Sequence, residues 1–234
     1  LLVRAVTGRS LWLSEAGRPV EAERSCRDVI EQAERLRVPA AALPAVIGLA
    51  EQLWRRGALA EAAEVLGAAR PAELGRPQDR GRRTVDMFLG MVALRRGDLV
   101  AAHDHLVVAL RSRIRYGFYG PAADTVAALA VRCAIGGDPG TAALLFGAAG
   151  RKRAGISGAD LIGAAQSSPS AVFAEFWARQ QAALRAAIGD AAFDVAYADG
   201  TRLTLEQAVA VALAVEHPDL AADSARFGAD AHMR

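Results

Sequence analysis

Small and apolar residues recur every forty positions along the first 150 residues of the chain. Glycine marks the start of each period, at Gly17, Gly57, Gly97 and Gly137. Five positions after each glycine is an alanine: Ala22, Ala62, Ala102 and Ala142. Nine positions after each glycine is an apolar residue: Cys26, Leu66, Leu106 and Phe146. Self-similarity at a fixed period of this length indicates a repeat architecture.

The residues around each glycine predict a helical hairpin. Glycine takes the left-handed conformation that ends a helix at little cost. Proline two residues later, at Pro19 and Pro139, suits the first turn of the next helix. Offsets of five, nine and twelve residues follow one face of that second helix. Small residues seven positions before each glycine are expected at the crossing of the two helices: Ser10, Ala50, Gly90 and Ala130.

This combination of small, glycine, alanine and apolar positions resembles the tetratricopeptide repeat. The resemblance covers about residues 1–150. It departs from the family pattern in having six extra residues beyond the usual period of about thirty-four, and in lacking the proline that commonly closes the second helix. The resemblance implies an all-α fold, built as an α-solenoid of tetratricopeptide-like helical hairpins.

The periodicity also predicts the layout of the whole chain. We expect four repeats of about 40 residues over 1–152, a flexible loop over 153–169, capping helices over 170–216 and a tail over 217–234. Helices are predicted near 1–16, 20–36, 40–56, 59–69, 80–96, 99–114, 121–136, 140–152, 170–187, 190–198 and 204–215. Because the chain begins Leu1-Leu2-Val3-Arg4 without a methionine, we expect it to be a segment of a longer protein.

The second half carries a further resemblance. Its residues follow the order Ala142-Ala143-Leu144-Leu145-Phe146-Gly147-Ala148-Ala149, then Leu184-Arg185-Ala186-Ala187-Ile188-Gly189-Asp190-Ala191-Ala192-Phe193, then Leu203-Thr204-Leu205-Glu206-Gln207-Ala208-Val209. This order is similar to the C-terminal helical region of actinobacterial signalling ATPases, many of which carry a LuxR-type DNA-binding domain or a cyclase domain. The resemblance implies the sensor or scaffold arm of such a regulator of transcription or signalling, with the regulator's other domains as partners. The chain has no phosphate-binding G-x-x-x-x-G-K-[S/T] motif.

Composition and charge narrow the function classes. The net charge of +2 is too small for the basic footprint of a nucleic-acid-binding protein, so no direct contact with nucleic acid is expected. No run of eighteen apolar residues predicts a membrane span. Cys26 and Cys133 are far apart and lack metal-ligand spacing, which favours a reduced, cytoplasmic protein without a cofactor.

Few residues suggest chemistry. His103-Asp104-His105 is the strongest metal or catalytic candidate, but next-but-one residues of a helix point in different directions and do not chelate one ion together. We therefore expect no catalytic and no metal-binding residue. An alternative is a helical enzyme whose site, formed between the repeats and the C-terminal helices, gathers His103, His105 or Glu51.

The first helix of each tetratricopeptide hairpin lines a concave groove, and the resemblance implies binding there. Mapped onto this chain, the candidate binding residues are Arg4, Leu11, Glu15, Glu51, Trp54, Arg55, Met87, Met91, Arg95 and Asp124. Aromatic and methionine side chains make adaptable contacts, and arginine binds carboxylates. We expect a partner domain, a peptide or a small-molecule effector in this groove. The alternative is that the chain's own helices fill it and leave a structural scaffold without a ligand.

Overall fold

The computed structural model describes residue 13 and residues 16–74, 80–154 and 170–215. These residues form ten α-helices and one short 3-10 helix (Pro39–Ala42), with no strand among them, which confirms the all-α class. In chain order the helices are α1 (Pro19–Arg35), α2 (Leu43–Arg56), α3 (Leu59–Leu74), α4 (Arg80–Arg96), α5 (Leu99–Arg115), α6 (Tyr119–Ile135), α7 (Pro139–Ala154), α8 (Ser170–Ile188), α9 (Asp190–Arg202) and α10 (Leu205–Ala214).

The predicted helices from residue 20 onwards agree with these bounds within a few residues. The largest differences are at the carboxyl ends of α3 and α9, which run five and four residues beyond the predicted ends at 69 and 198. The predicted helix over 1–16, most of the predicted loop and nearly all of the predicted tail lie outside the described residues.

The chain divides into two compact units, Leu1–Arg96 and Gly97–Arg234. In the first unit α1 packs against α2, α2 against α3 and α3 against α4, and α2 also packs against α4. In the second unit α5, α6 and α7 pack in the same sequential way. The C-terminal helices join this second unit: α8 and α10 pack on α6 and α7, and α9 packs on α7. The division between the two units falls after Arg96, within the predicted repeat region.

Among the described residues, one turn conformation recurs at six positions that are multiples of twenty residues apart, and twenty is half the period found in the sequence. The turn residue has φ between 56° and 88° in each case, at Gly17, Arg37, Gly57, Gly97, Gly117 and Gly137. At five of these six turns, the amide of the next residue donates to the carbonyl five residues before it, with N–O distances of 2.8–2.9 Å. This bond satisfies a carbonyl in the last turn of the helix. The repeating unit is thus a single helix with its turn, and the hairpin is two such units.

The twenty-residue register also orders the core. Alanine lies five positions after each of these six turns and is at most 3% exposed at each: Ala22, Ala42, Ala62, Ala102, Ala122 and Ala142. The apolar residues nine positions after the same turns are also buried: Cys26, Val46, Leu66, Leu106, Val126 and Phe146. After each of these six turns, a small buried side chain is therefore followed four residues later by a larger buried one, which suits close helix packing.

Two polar side chains replace apolar residues in this register. Asp86 lies nine positions after residue 77, is buried, and pairs with Arg70 across α3 and α4 at 3.3 Å. Arg113 lies four positions before Gly117 and is 1% exposed. Its guanidinium donates to the Pro121 carbonyl and to Thr125 Oγ1, both at 2.5 Å. Because buried charges are costly unless bonded, these contacts hold the neighbouring helices in one register.

Helices α7 and α9 approach each other through glycine. A Cβ atom added at Gly147 would overlap the Tyr197 backbone, and one added at Gly200 would overlap the Leu144 carbonyl oxygen. At Gly150 an added Cβ would lie 2.5 Å from the Tyr197 hydroxyl. Only residues without a side chain allow this close a contact between two helix backbones.

Candidate interaction site

The structure places the predicted groove residues in two different environments. Arg4, Leu11 and Glu15 lie outside the described residues. Arg55 and Arg95 are exposed, whereas the other five predicted residues are buried: Glu51, Trp54, Met87, Met91 and Asp124. These five buried side chains are therefore not accessible to a partner in this structure.

In the second unit, the C-terminal helices cover part of the helix that carries Asp124. Asp124 is 0% exposed and lies on α6, which is the first helix of the fourth predicted hairpin. Helices α8 and α10 both pack against α6. The C-terminal helices therefore cover part of α6, the helix on which the tetratricopeptide resemblance places Asp124.

In the first unit, α2 and α4 bring four predicted residues together, and we call Glu51, Trp54, Arg55 and Arg95 the Trp54 cluster. The Trp54 indole Nε1 donates to the Met91 carbonyl at 3.4 Å. The Arg95 guanidinium carbon lies 4.8 Å from the centroid of the Trp54 ring, and Arg95 also donates to the Trp54 carbonyl oxygen. Arg55 pairs with Glu51 at 2.8 Å.

The two arginines of the Trp54 cluster differ in what they can do. Arg95 donates a hydrogen bond to a carbonyl in the last turn of α2, where the helix dipole is negative, and it stacks on an aromatic face. Its bonds therefore stabilise the α2–α4 contact. The Arg55 side chain is 42% exposed, while its partner Glu51 is 11% exposed. Arg55 therefore keeps an exposed guanidinium although it pairs with Glu51.

Next to the Trp54 cluster, four charged side chains form ion pairs with one another. Glu23 and Arg27 of α1, Arg56 of α2 and Glu61 of α3 form a closed ring of ion pairs with distances of 2.5–3.1 Å. Burial raises the pKa of Glu23, but hydrogen bonds from Arg27 and Arg56 outweigh that effect and hold the pKa below its usual range. Arg56 is therefore engaged within the ring, although it directly follows Arg55 in sequence.

The remaining chemical candidates stay separate from the Trp54 cluster. His103 and His105 on α5 are half-buried, and Asp104 between them is exposed. Among the described residues, no three His, Cys, Asp or Glu side chains are arranged to hold a metal ion. Burial raises the pKa of the Cys133 thiol from 9.0 to about 11, so the nucleophilic thiolate is scarce at neutral pH. Within the described part of the chain, no helix has the length and apolar content needed to cross a membrane.

Comparison with protein-family models, with curated proteins and with solved structures found no match to this chain.

Proposed function

We propose that the chain is a non-catalytic interaction module of a bacterial signalling or transcriptional regulator. The observation that carries this proposal is the left-handed turn at six described positions in a twenty-residue register, with a buried alanine five residues after each of them. Repeated helical units whose contacts are mainly to their sequence neighbours form extended arrays suited to binding other proteins. A tetratricopeptide-like α-solenoid is the arrangement that this register favours.

The Trp54 cluster suggests the chemistry of the partner. Arg55 presents an exposed guanidinium beside a buried tryptophan, and arginine forms strong charge-assisted bonds with carboxylates. We therefore propose that an acidic peptide or an acidic surface of another domain binds at the end of α2. A small-molecule effector with a carboxylate would satisfy the same chemistry.

The resemblance to actinobacterial signalling ATPases supports a regulatory role in the cytoplasm. In such a protein, a partner bound to this chain would change the output of a DNA-binding or cyclase domain only if the partner binds two conformations of the whole protein with different affinity. The other domains of the same regulator are accordingly the first partners to test. Contact with nucleic acid is not part of the proposal.

The test compares two charge reversals, Arg55→Glu and Arg35→Glu. Arg35 is a matched control because it also lies two residues before a turn and pairs with a glutamate four residues earlier, Glu31, at 2.9 Å. Each variant is used to capture partners from an actinobacterial lysate, with quantification by mass spectrometry. We expect a partner that the native chain and Arg35→Glu retain and that Arg55→Glu loses.

Truncation of Trp54 is a poor test of binding, although the sequence alone makes it attractive. The side chain is 4% exposed, and replacing a buried tryptophan with alanine costs about 3–5 kcal/mol of stability. Equal capture by the native chain and both charge variants would contradict the proposal. It would favour the structural scaffold, which the burial of the predicted groove residues also supports.

A further inference from the structure

Arginine lies two positions before four of the left-handed turns, at Arg35, Arg55, Arg95 and Arg115. On α1 and α2 this arginine pairs with a glutamate four residues earlier, at 2.9 Å and 2.8 Å. On α5 the residue four positions before Arg115 is a second arginine, Arg111. Side chains four residues apart are neighbours on a helix, and like charges there repel each other. The end of α5 therefore carries a repulsive pair at the place where α1 and α2 carry an attractive one.

Among the described residues, no carboxylate offsets the charges of Arg111 and Arg115. Both side chains are exposed, and neither forms an ion pair. Three other arginines of the second unit have side chains that are 39–75% exposed, and each pairs with an acidic residue: Arg179, Arg185 and Arg202. The negative end of the helix dipole favours a cation at Arg115 in the last turn of α5. Arg111 lies one turn earlier, so the dipole does not account for it.

Aromatic and apolar side chains accompany the two arginines. The Arg115 guanidinium carbon lies 5.8 Å from the centroid of the Tyr116 ring. Tyr119, the first residue of α6, is 58% exposed, and Val108 of α5 is 39% exposed. We call Val108, Arg111, Arg115, Tyr116 and Tyr119 the α5 tip. Arginine and tyrosine are enriched at protein–protein interfaces, so the α5 tip has the composition of an interaction surface.

Hydrogen bonds hold the backbone beneath the α5 tip in one conformation. Arg113 lies between the two exposed arginines, is 1% exposed, and donates to the Pro121 carbonyl and to Thr125 Oγ1 of α6. The Phe118 amide donates to the Arg113 carbonyl at 2.8 Å. These bonds join the end of α5 to the start of α6. A partner therefore meets the α5 tip on a preformed backbone, which lowers the entropy lost on binding.

We propose that the α5 tip binds an acidic segment of a partner protein, with carboxylates on Arg111 and Arg115 and apolar contacts to Val108 and Tyr119. Bound carboxylates replace the repulsion between the two arginines with charge-assisted hydrogen bonds. Nucleic acid fits this surface less well, because its affinity comes from neutralising many phosphates and the α5 tip offers two cations. The α5 tip belongs to the second unit and does not depend on the function proposed for the Trp54 cluster.

The test measures binding of hexaglutamate to the whole 15N-labelled chain by NMR, with Arg111→Glu as the variant. The control Arg202→Glu changes the net charge equally on α9, which packs against α7 and α8. We expect hexaglutamate to shift the amides of residues 108–119 in the native chain. Arg111→Glu should weaken the binding measured at these amides about tenfold or more, because a charge-assisted bond is replaced by repulsion. Arg202→Glu should change it less than about twofold, since charges away from the site are screened by salt.

The unfolding temperature separates a binding role from a structural one. Arg111→Glu creates the glutamate–arginine spacing found on α1 and α2, so its Tm should equal or exceed that of the native chain. A lower Tm would give Arg111 a stabilising role in α5 and would overturn the proposal.

Three NMR results would also overturn the proposal. They are an absence of shifts at residues 108–119, an equal loss of binding in Arg111→Glu and Arg202→Glu, and tighter binding of a short DNA duplex than of hexaglutamate at the same amides. Shifts at residues 51–57 report on the Trp54 cluster instead. Because Arg55→Glu should remove only those shifts, the two proposals can fail separately.

Discussion

Arg37 occupies a turn position that glycine fills at the other described turns of the twenty-residue series. Its φ of 56° is the only positive value among the described residues that are not glycine. The turn is otherwise formed normally, since the Val38 amide donates to the Ala33 carbonyl at 2.9 Å. The left-handed conformation brings a Cβ atom close to the following carbonyl oxygen. We therefore predict that Arg37→Gly makes the first unit more stable.

The expected change in the free energy of unfolding follows from two opposing effects. Left-handed backbone costs a residue with a Cβ atom about 1–2 kcal/mol. Glycine removes this cost but loses about 0.5–1 kcal/mol more backbone entropy on folding than alanine does. The expected net gain is roughly 0.5–1 kcal/mol. In a chain of this size that corresponds to an increase in Tm of about 1–4 °C.

The assay is urea unfolding followed by circular dichroism at 222 nm. Arg37→Ala is the control, because it removes the exposed side chain while keeping the strained backbone; we expect its stability to stay within about 0.5 kcal/mol of the native chain. Gly57→Ala should give the opposite sign. An added Cβ there meets no atom closer than 3.9 Å, and φ is 84°. Strain in the left-handed backbone is therefore the effect that lowers the stability of this variant. If Arg37→Gly is no more stable than Arg37→Ala, the assignment of strain to this turn is refuted.

Three further predictions concern the core packing, the glycine contacts and the buried thiol. Ala102→Leu should destabilise the second unit by about 1–3 kcal/mol through overpacking, since Ala102 is fully buried; an unchanged Tm would refute the repeat register. Gly200→Ala should cost a similar amount by thermal unfolding because its Cβ would overlap Leu144, whereas Gly67→Ala, with open space around it, should stabilise α3 by about 0.5–1 kcal/mol. Burial raises the Cys133 pKa to about 11, so alkylation by iodoacetamide at pH 8 should be slow until denaturant is added. The stability that Cys133 contributes should be present below pH 9 and lost as the pH rises through 11; rapid native labelling at pH 8 would contradict its burial.

The helices and their turns followed from the sequence because their causes are local. Glycine lowers the cost of the left-handed turn, and the small and apolar positions after it follow one helix face. The forty-residue period was visible from glycine alone. Arg37 obscured the underlying twenty-residue period, since the residue type there does not indicate its backbone conformation. Gly117 was the available signal, because it lies twenty residues from both Gly97 and Gly137.

The accessibility of the predicted site was decided by tertiary packing. Helical spacing placed Trp54 and Arg95 on corresponding faces of two helices, but it could not indicate that Arg95 stacks on Trp54 or how deeply the ring is buried. The spacing likewise gave no sign that α8 covers α6, or that Gly147 and Gly200 allow α7 and α9 to touch. Periodicity along one helix indicates which side chains share a face. The partner of that face depends on contacts between residues distant in sequence, and only the folded chain brings those residues together.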